Sequence, residues 1–263
     1  MNAGKMKRIQ RILRDDGKTV IVPMDHGVTN GPVAGLTDME DILRKVALGG
    51  ADAAVIHKGI AKRFDTGRIG LIIHLTGSTS MSRDPNWKVQ VCSVEEALRL
   101  GADGVSIQAN VGSAREHLML KEMGKIAEDC ERLGIPLLAM MYPRGKDVKD
   151  EHAAELVAHA ARLGAEIGAD IIKTNYTGSP ETFRDVVRGC PVPVIIAGGP
   201  KVKTVEDILQ MVYDSVQCGG AGVSIGRNVF QHKDPTAMVK ALSAIVHENA
   251  SVKDGLKVLG EKT

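Results

Sequence analysis

The chain has 263 residues, a length that suits one large α/β domain or two small ones. Its 43% hydrophobic and 25% charged content is that of a soluble globular protein, not of a disordered or membrane-embedded chain. Basic and acidic residues, 34 against 32, are spread along the chain and only 3% of residues are aromatic, which argues against a nucleic-acid footprint or a base-stacking platform and leaves small anionic ligands open. The charged opening "MNAGKMKRIQRILRDDGK" lacks a signal peptide's apolar stretch, and no apolar run is long enough to span a membrane. Cys92, Cys130, Cys190 and Cys218 form no C-x-x-C pair and are read as reduced thiols, so the expected location is the cytoplasm.

In chain order, short β-branched apolar runs begin at "TVIVPMDHG" (from 19), "AAVIHKG" (from 53), "LIIHLTG" (from 71) and "GVSIQANVG" (from 104). They continue at "PLLAMMYPRG" (from 136), "DIIKTNYTG" (from 170), "PVIIAGG" (from 193) and "GVSIGRN" (from 222). Each is nearly continuous in hydrophobicity, as parallel strands covered on both faces are. Helical patterns fall at 37–49, 113–133, 151–168, 179–189, 204–219 and 235–260, most opening on Thr, Ser or Asp suited to N-caps. In 113–133, Leu118, Met119, Met123, Ile126, Ala127 and Cys130 recur at three- and four-residue steps, the stripe of a helix lying on a sheet. Glycines in "LGGADAAVI", "LGADGVSI", "IGADIIK" and "CGGAGVSI" read as helix C-caps before the next strand. Eight βα units with no linker or composition shift predict a single-domain (β/α)8 TIM barrel over 1–263. The link from the second strand to the third is short, and "WKVQVC" at 87–92 reads as an extra strand before a helix at 93–101.

A barrel of this kind carries its active site at the C-terminal ends of its strands, so the polar residues there are the candidates. Asp25, Tyr142 and Lys173 stand out. A buried lysine whose pKa falls becomes a free amine able to attack a ketone. The resulting protonated imine withdraws electrons, so an adjacent carbon–carbon bond can break. Such a retro-aldol step needs a base for the departing hydroxyl proton, which suits Asp25, and an acid for carbinolamine dehydration, which suits Tyr142. Alone, each has an ordinary use: Lys173 as a solvated or ion-paired group, Asp25 as a turn cap, Tyr142 as a core aromatic. "AGGPK" at 197–201 and "SIGRN" at 224–228 follow the seventh and eighth strands, where backbone N–H groups of Gly198, Gly199 and Gly226 and the fork of Arg227 would suit a phosphate. Tight βα turns would use these glycines too. "DHGVTNG" can form a loop over the substrate, while Lys58 and Lys201 are either phosphate contacts or surface pairs. His26, His57 and His74 end early strands as the ligands of a metal set would, but no groups that would orient them are evident, and no metal is expected. His152 and His159 do not form an H-E-x-x-H motif.

The collinear set "VPMDHGVTNGPVAGL", "VIHKGI", "LIIHLTGSTSMS", "AMMYPRG", "IIKTNYTG", "VIIAGGPK" and "GRNVFQH" resembles the archaeal-type class I aldolase family over nearly the whole chain. The resemblance implies Lys173 as Schiff-base nucleophile, Asp25 as proton acceptor and Tyr142 as proton donor. It implies that Asp25, His26, Gly27, Val28 and Thr29, with Tyr142, Pro143, Arg144, Gly198, Gly199, Gly226 and Arg227, hold the phosphorylated substrate. No metal or organic cofactor is implied. The wording "PMDHGVTNGP" with "MMYPRG" is similar to the branch that moves a three-carbon unit from 6-deoxy-5-ketofructose 1-phosphate to L-aspartate semialdehyde, releasing hydroxypyruvaldehyde phosphate. That reaction belongs to an alternative route to 3-dehydroquinate and aromatic amino acids. The alternative is a class I fructose-1,6-bisphosphate aldolase or a related sugar-phosphate lyase or thiolase. The resemblance also implies a homo-oligomer, up to a decamer, and no nucleic-acid or membrane partner.

Overall fold

The computed structural model describes residues 3–199 and 204–261. The eight apolar runs are the eight barrel strands: β1 (Thr19–Pro23), β2 (Ala53–Ile56), β3 (Gly70–His74), β4 (Gly104–Val111), β5 (Leu137–Pro143), β6 (Ile171–Thr174), β7 (Val194–Ala197) and β8 (Gly222–Ser224). Each pairs in parallel with its neighbours in the chain, and β8 closes on β1 through Val20↔Val223. Their continuous hydrophobicity follows from position, since one set of side chains fills the barrel and the alternate set meets the helices. Ile21, Val55, Ile72, Leu138, Ile171 and Ile195 form the inner cluster.

"WKVQVC" contributes the strand Val89–Gln90, which pairs antiparallel with Thr76–Gly77. This hairpin folds over the strand ends after β3. Most predicted helices begin one to three residues later than their patterns, because the opening polar residues are caps outside the helix. Asp38, Ser93, Ser179 and Asp234 each accept a backbone N–H, and Thr204 and Asp207 form a reciprocal capping box. The predicted helix 235–260 is two, Pro235–Glu248 and Val252–Val258, because Asn249 takes a left-handed φ of 56° that ends the first. Four short helices escaped the pattern: Ala3–Ile9, His26–Asn30, Lys58–Ala61 and Arg227–Phe230. No described helix is long and apolar enough to cross a membrane.

The Gly-Ala-Asp repeats do more than end helices. The carboxylates of Asp52, Asp103 and Asp170 accept the backbone N–H of Val20, Leu71 and Leu137 at 2.6, 2.9 and 2.8 Å, stitching each strand start to the preceding strand. The N-terminal segment closes this end. Lys5 pairs with Asp170 at 3.0 Å, Arg11 with Asp103 at 2.6 Å and Arg14 with Asp52 at 2.5 Å, while Ile12 enters the inner cluster. Gly104 makes room for it: a Cβ there would lie 2.7 Å from Ile12 Cδ1.

His247 joins the same base, bridging Asp16 at 2.8 Å and Asp52 at 2.9 Å with its side chain 6% exposed. Burial alone pushes this imidazole down, but the hydrogen bonds to Asp52 and Asp16 outweigh it and hold the pKa above its ordinary value. A raised histidine pKa stabilises the fold fully below its unfolded value of about 6.5 and loses that contribution as pH rises through the folded value. The urea midpoint of the wild type should therefore exceed that of His247→Gln most at about pH 6, with the gap narrowing towards about pH 9. A gap that widens with pH would contradict the bridge.

Candidate active site

At the opposite end of the barrel, the strand C-termini surround a cavity of about 250 Å³. Asp25, His26, Thr29, Tyr142, Arg144, Lys173, Gly198, Gly199, Gly226 and Arg227 line it. Asp25, Tyr142 and Lys173, predicted from three separate segments, thus share one chamber.

Lys173 is the third residue of β6, in register with Met140 and Ile195, and is 6% exposed. Among the described residues it has no ion-pair or hydrogen-bond partner. Burial, and then the nearby Arg144, outweigh the pull of Asp25 and lower its pKa to about 8. About a tenth of the amine is then free at pH 7, and more as pH rises, as a nucleophile requires. The solvated-lysine alternative does not hold.

Asp25 does occupy the N-cap position of the helix His26–Asn30, but its side chain makes no capping hydrogen bond. The carboxylate stands 3.7 Å from His26 Nδ1 and 3.9 Å from His74 Nε2. Burial pushes its pKa up, but the attraction of His74, His26, Lys173 and His57 prevails and holds it below the usual carboxylate value. Buried His74 is itself brought down to about 4 and is neutral near pH 7, so Lys173 is the partner that carries charge there. Asp25 is an ionised acceptor beside an amine.

Tyr142 is 6% exposed, with the Arg144 guanidinium 4.6 Å from its ring centre. Burial raises its pKa above the ordinary value despite Arg144, so the phenol keeps its proton. Its hydroxyl has no hydrogen-bond partner among the described residues. A proton is available at the cavity wall.

The glycine turns form another wall. Arg227 donates from Nη2 to Gly199 O at 3.1 Å, and Asn228 donates from Nδ2 to Gly198 O at 3.0 Å, tying the β7 and β8 turns together. A Cβ on Gly226 would meet His26 Cε1 and Pro23 O, both at 2.7 Å, so only glycine fits there. Lys201 lies outside the described residues.

Several expected contacts are not brought to this cavity. Gly27 and Val28 line a neighbouring apolar hollow, because a helix that turns His26, Thr29 and Asn30 inward directs the intervening residues away. Pro143 is absent from the wall because strand side chains alternate, and Met140, Tyr142 and Arg144 point in. Lys58 borders the hollow and pairs with Glu96 at 2.9 Å, so it is a surface ion pair. The histidines do not make a metal set: His74 Nδ1 meets Ser106 Oγ at 2.8 Å and its Nε2 meets Thr76 Oγ1 at 3.3 Å. Among the described residues, no three His, Cys, Asp or Glu side chains are grouped to ligate a metal.

Sequence reasoning left Asn30, Lys88, Gln108, Met140, Asn175 and Ser224 without a site role, yet all line the cavity. Strand alternation could have supplied Met140. Ser224 sits at the end of β8 with its Oγ buried and without a hydrogen-bond partner among the described residues.

The model of the DeoC/LacD family aldolases matches residues 19–232. The chain belongs to that aldolase family. A Halobacterium salinarum member named 2-amino-3,7-dideoxy-D-threo-hept-6-ulosonate synthase is 46% identical over 98% of this chain and 97% of its own. A Streptomyces griseus member named 2-amino-4,5-dihydroxy-6-oxo-7-(phosphonooxy)heptanoate synthase is 42% identical over 93% of this chain and 90% of its own. An archaeal fructose-1,6-bisphosphate aldolase, solved with its catalytic lysine covalently bound to the carbinolamine intermediate, superposes with a TM-score of 0.87 at 38% identity, covering 92% of this chain and 99% of that one. This DeoC/LacD aldolase therefore shares both the barrel and substantial sequence with an enzyme of lysine-adduct chemistry.

Proposed function

We propose that this family member is a Schiff-base transaldolase that makes 2-amino-3,7-dideoxy-D-threo-hept-6-ulosonate. The observation that carries the reading is Lys173, buried with no direct ion pair among the described residues, in one cavity with an ionised carboxylate and a protonated phenol. The identity to the Halobacterium synthase supports the substrates.

Lys173 Nζ adds to C5 of 6-deoxy-5-ketofructose 1-phosphate, the ketone next to the methyl group. Tyr142 donates a proton as the carbinolamine loses water to give the protonated imine. Asp25 accepts the C3 hydroxyl proton, C3 becomes an aldehyde, the C3–C4 bond breaks, and its electron pair flows into the imine to form an enamine. Hydroxypyruvaldehyde phosphate leaves. The enamine carbon then attacks the aldehyde of L-aspartate semialdehyde, whose oxygen takes up the proton, and water hydrolyses the new imine to release product and amine. Gly198, Gly199, Gly226 and Arg227, with the free Ser224 hydroxyl, hold the sugar phosphate. The imine on Lys173 serves in place of a cofactor. The reading puts the enzyme in the cytoplasm as a homo-oligomer.

Phosphorus and mass analysis of the products tests the assignment. Six-carbon donor plus L-aspartate semialdehyde should yield a seven-carbon amino keto acid without phosphorus and equimolar hydroxypyruvaldehyde phosphate. A phosphorylated seven-carbon product would favour the reaction type named for the Streptomyces relative, and cleavage of fructose 1,6-bisphosphate alone would favour a simple aldolase.

A further inference from the structure

Asp25 is the proton acceptor of the proposed cycle, yet its carboxylate accepts no hydrogen bond of ordinary length from any described residue. A buried base held this loosely is poorly aimed, and aim is much of what catalysis needs from it. His74 stands behind it. The imidazole is 4% exposed and absent from the cavity wall, so it reaches Asp25 from within the barrel rim and does not meet substrate. An apolar residue would fill this place without burying two ring nitrogens.

Neighbouring strands fix the ring. His74 ends β3 directly opposite Ser106 of β4, whose Oγ lies 2.8 Å from Nδ1. The His57 ring, one strand nearer to Asp25, packs edge-on against it with centroids 5.3 Å apart. Nε2 is left facing Thr76 Oγ1 at 3.3 Å and Asp25 Oδ2 at 3.9 Å. A bare Nε2 lone pair would point at an ionised carboxylate, so the tautomer that suits the site carries its proton on Nε2 and accepts the Ser106 hydroxyl at Nδ1. Thr76 Oγ1 already accepts the Gln108 backbone N–H at 3.0 Å, which makes the carboxylate the stronger acceptor open to that Nε2–H.

Resting on the Schiff-base reading, we propose that His74 is a positioning residue for Asp25: its Nε2–H closes onto Oδ2 as substrate binds and aims the other oxygen at the hydroxyl to be deprotonated. Catalytic hydrogen bonds are commonly long before substrate binds and shorten in the complex. No proton leaves His74. Asp25 alone takes the C3 hydroxyl proton as the C3–C4 electron pair enters the imine, and returns it to the acceptor's oxygen when the new bond forms. His74 therefore serves bond cleavage and bond formation, and leaves imine formation to Lys173 and Tyr142.

The test is single-turnover kinetics with 6-deoxy-5-ketofructose 1-phosphate in wild type, His74→Asn and His74→Gln. Asparagine can keep the Ser106 contact but cannot reach Asp25, whereas glutamine places an N–H near the Nε2 position. Release of hydroxypyruvaldehyde phosphate should slow about tenfold or more in His74→Asn, the loss expected of a hydrogen bond to a charged group, and recover in part in His74→Gln. Borohydride trapping on Lys173 should keep its wild-type rate in both. Equal cleavage rates in the two variants, or trapping slowed alongside cleavage, overturn the proposal, because a ring that only packs would give that result. Should His74→Asn not fold, Ser106→Ala carries the test, since it keeps the ring and removes the bond that sets its tautomer. Cleavage there should slow with trapping unchanged, and unchanged cleavage overturns the proposal. A wild type that traps no adduct overturns the Schiff-base reading itself.

Discussion

Lys173→Met should lower turnover by about four orders of magnitude or more, since a covalent route has no substitute nucleophile. The protein should remain folded. Lys173 makes no direct ion pair among the described residues, so an apolar side chain of similar length removes its desolvation cost, and Asp25 offsets the lost cation by taking up a proton. The wild-type pH profile should carry the same signature. With the amine titrating at about 8, only about a tenth is free at pH 7, so imine formation should rise nearly tenfold per unit below that value and level off above it. Asp25, held below the ordinary carboxylate value, stays ionised across this window, and Tyr142, held above the ordinary phenol value, stays protonated. A flat profile from about pH 6 to about pH 8 in single-turnover measurements of imine formation would contradict a free-amine nucleophile.

Tyr142→Phe should reduce turnover by about 10²- to 10⁴-fold, the usual contribution of a positioned proton donor. Its ring would still pack in the inner cluster beneath Arg144, so stability should change little. The step affected separates it from Asp25. Loss of the phenol should slow carbinolamine dehydration, so borohydride trapping on Lys173 becomes slow. Asp25→Asn should leave trapping rapid and block bond cleavage instead. Rapid-quench trapping in the two variants checks the division, and equal trapping rates would contradict it.

Much of this site is legible in the sequence alone. Eight continuous apolar runs specify parallel strands, and residues ending such runs must converge at one rim, which is why Asp25, Tyr142 and Lys173 could be picked out separately and then found together. What escaped depends on geometry the linear pattern does not carry. Lys88 sits on no barrel strand, and only the antiparallel pairing of Val89–Gln90 with Thr76–Gly77 folds it over the cavity. The five-residue helix His26–Asn30 is too short to show a period, so Gly27 and Val28 were grouped with neighbours that face the other way. The glycines of the Gly-Ala-Asp repeats read as caps, but the aspartates carry no signal, because their partners, the backbone of the preceding strand and the cations of the N-terminal segment, are remote in sequence.

The account rests on a covalent imine at Lys173, and mass spectrometry of the borohydride-reduced enzyme tests it directly. Incubation with 6-deoxy-5-ketofructose 1-phosphate and reduction should add one donor-derived group, mapped by peptide fragmentation to Lys173 and absent from Lys173→Met. Turnover of that donor with an unmodified Lys173 under the same conditions would contradict the mechanism.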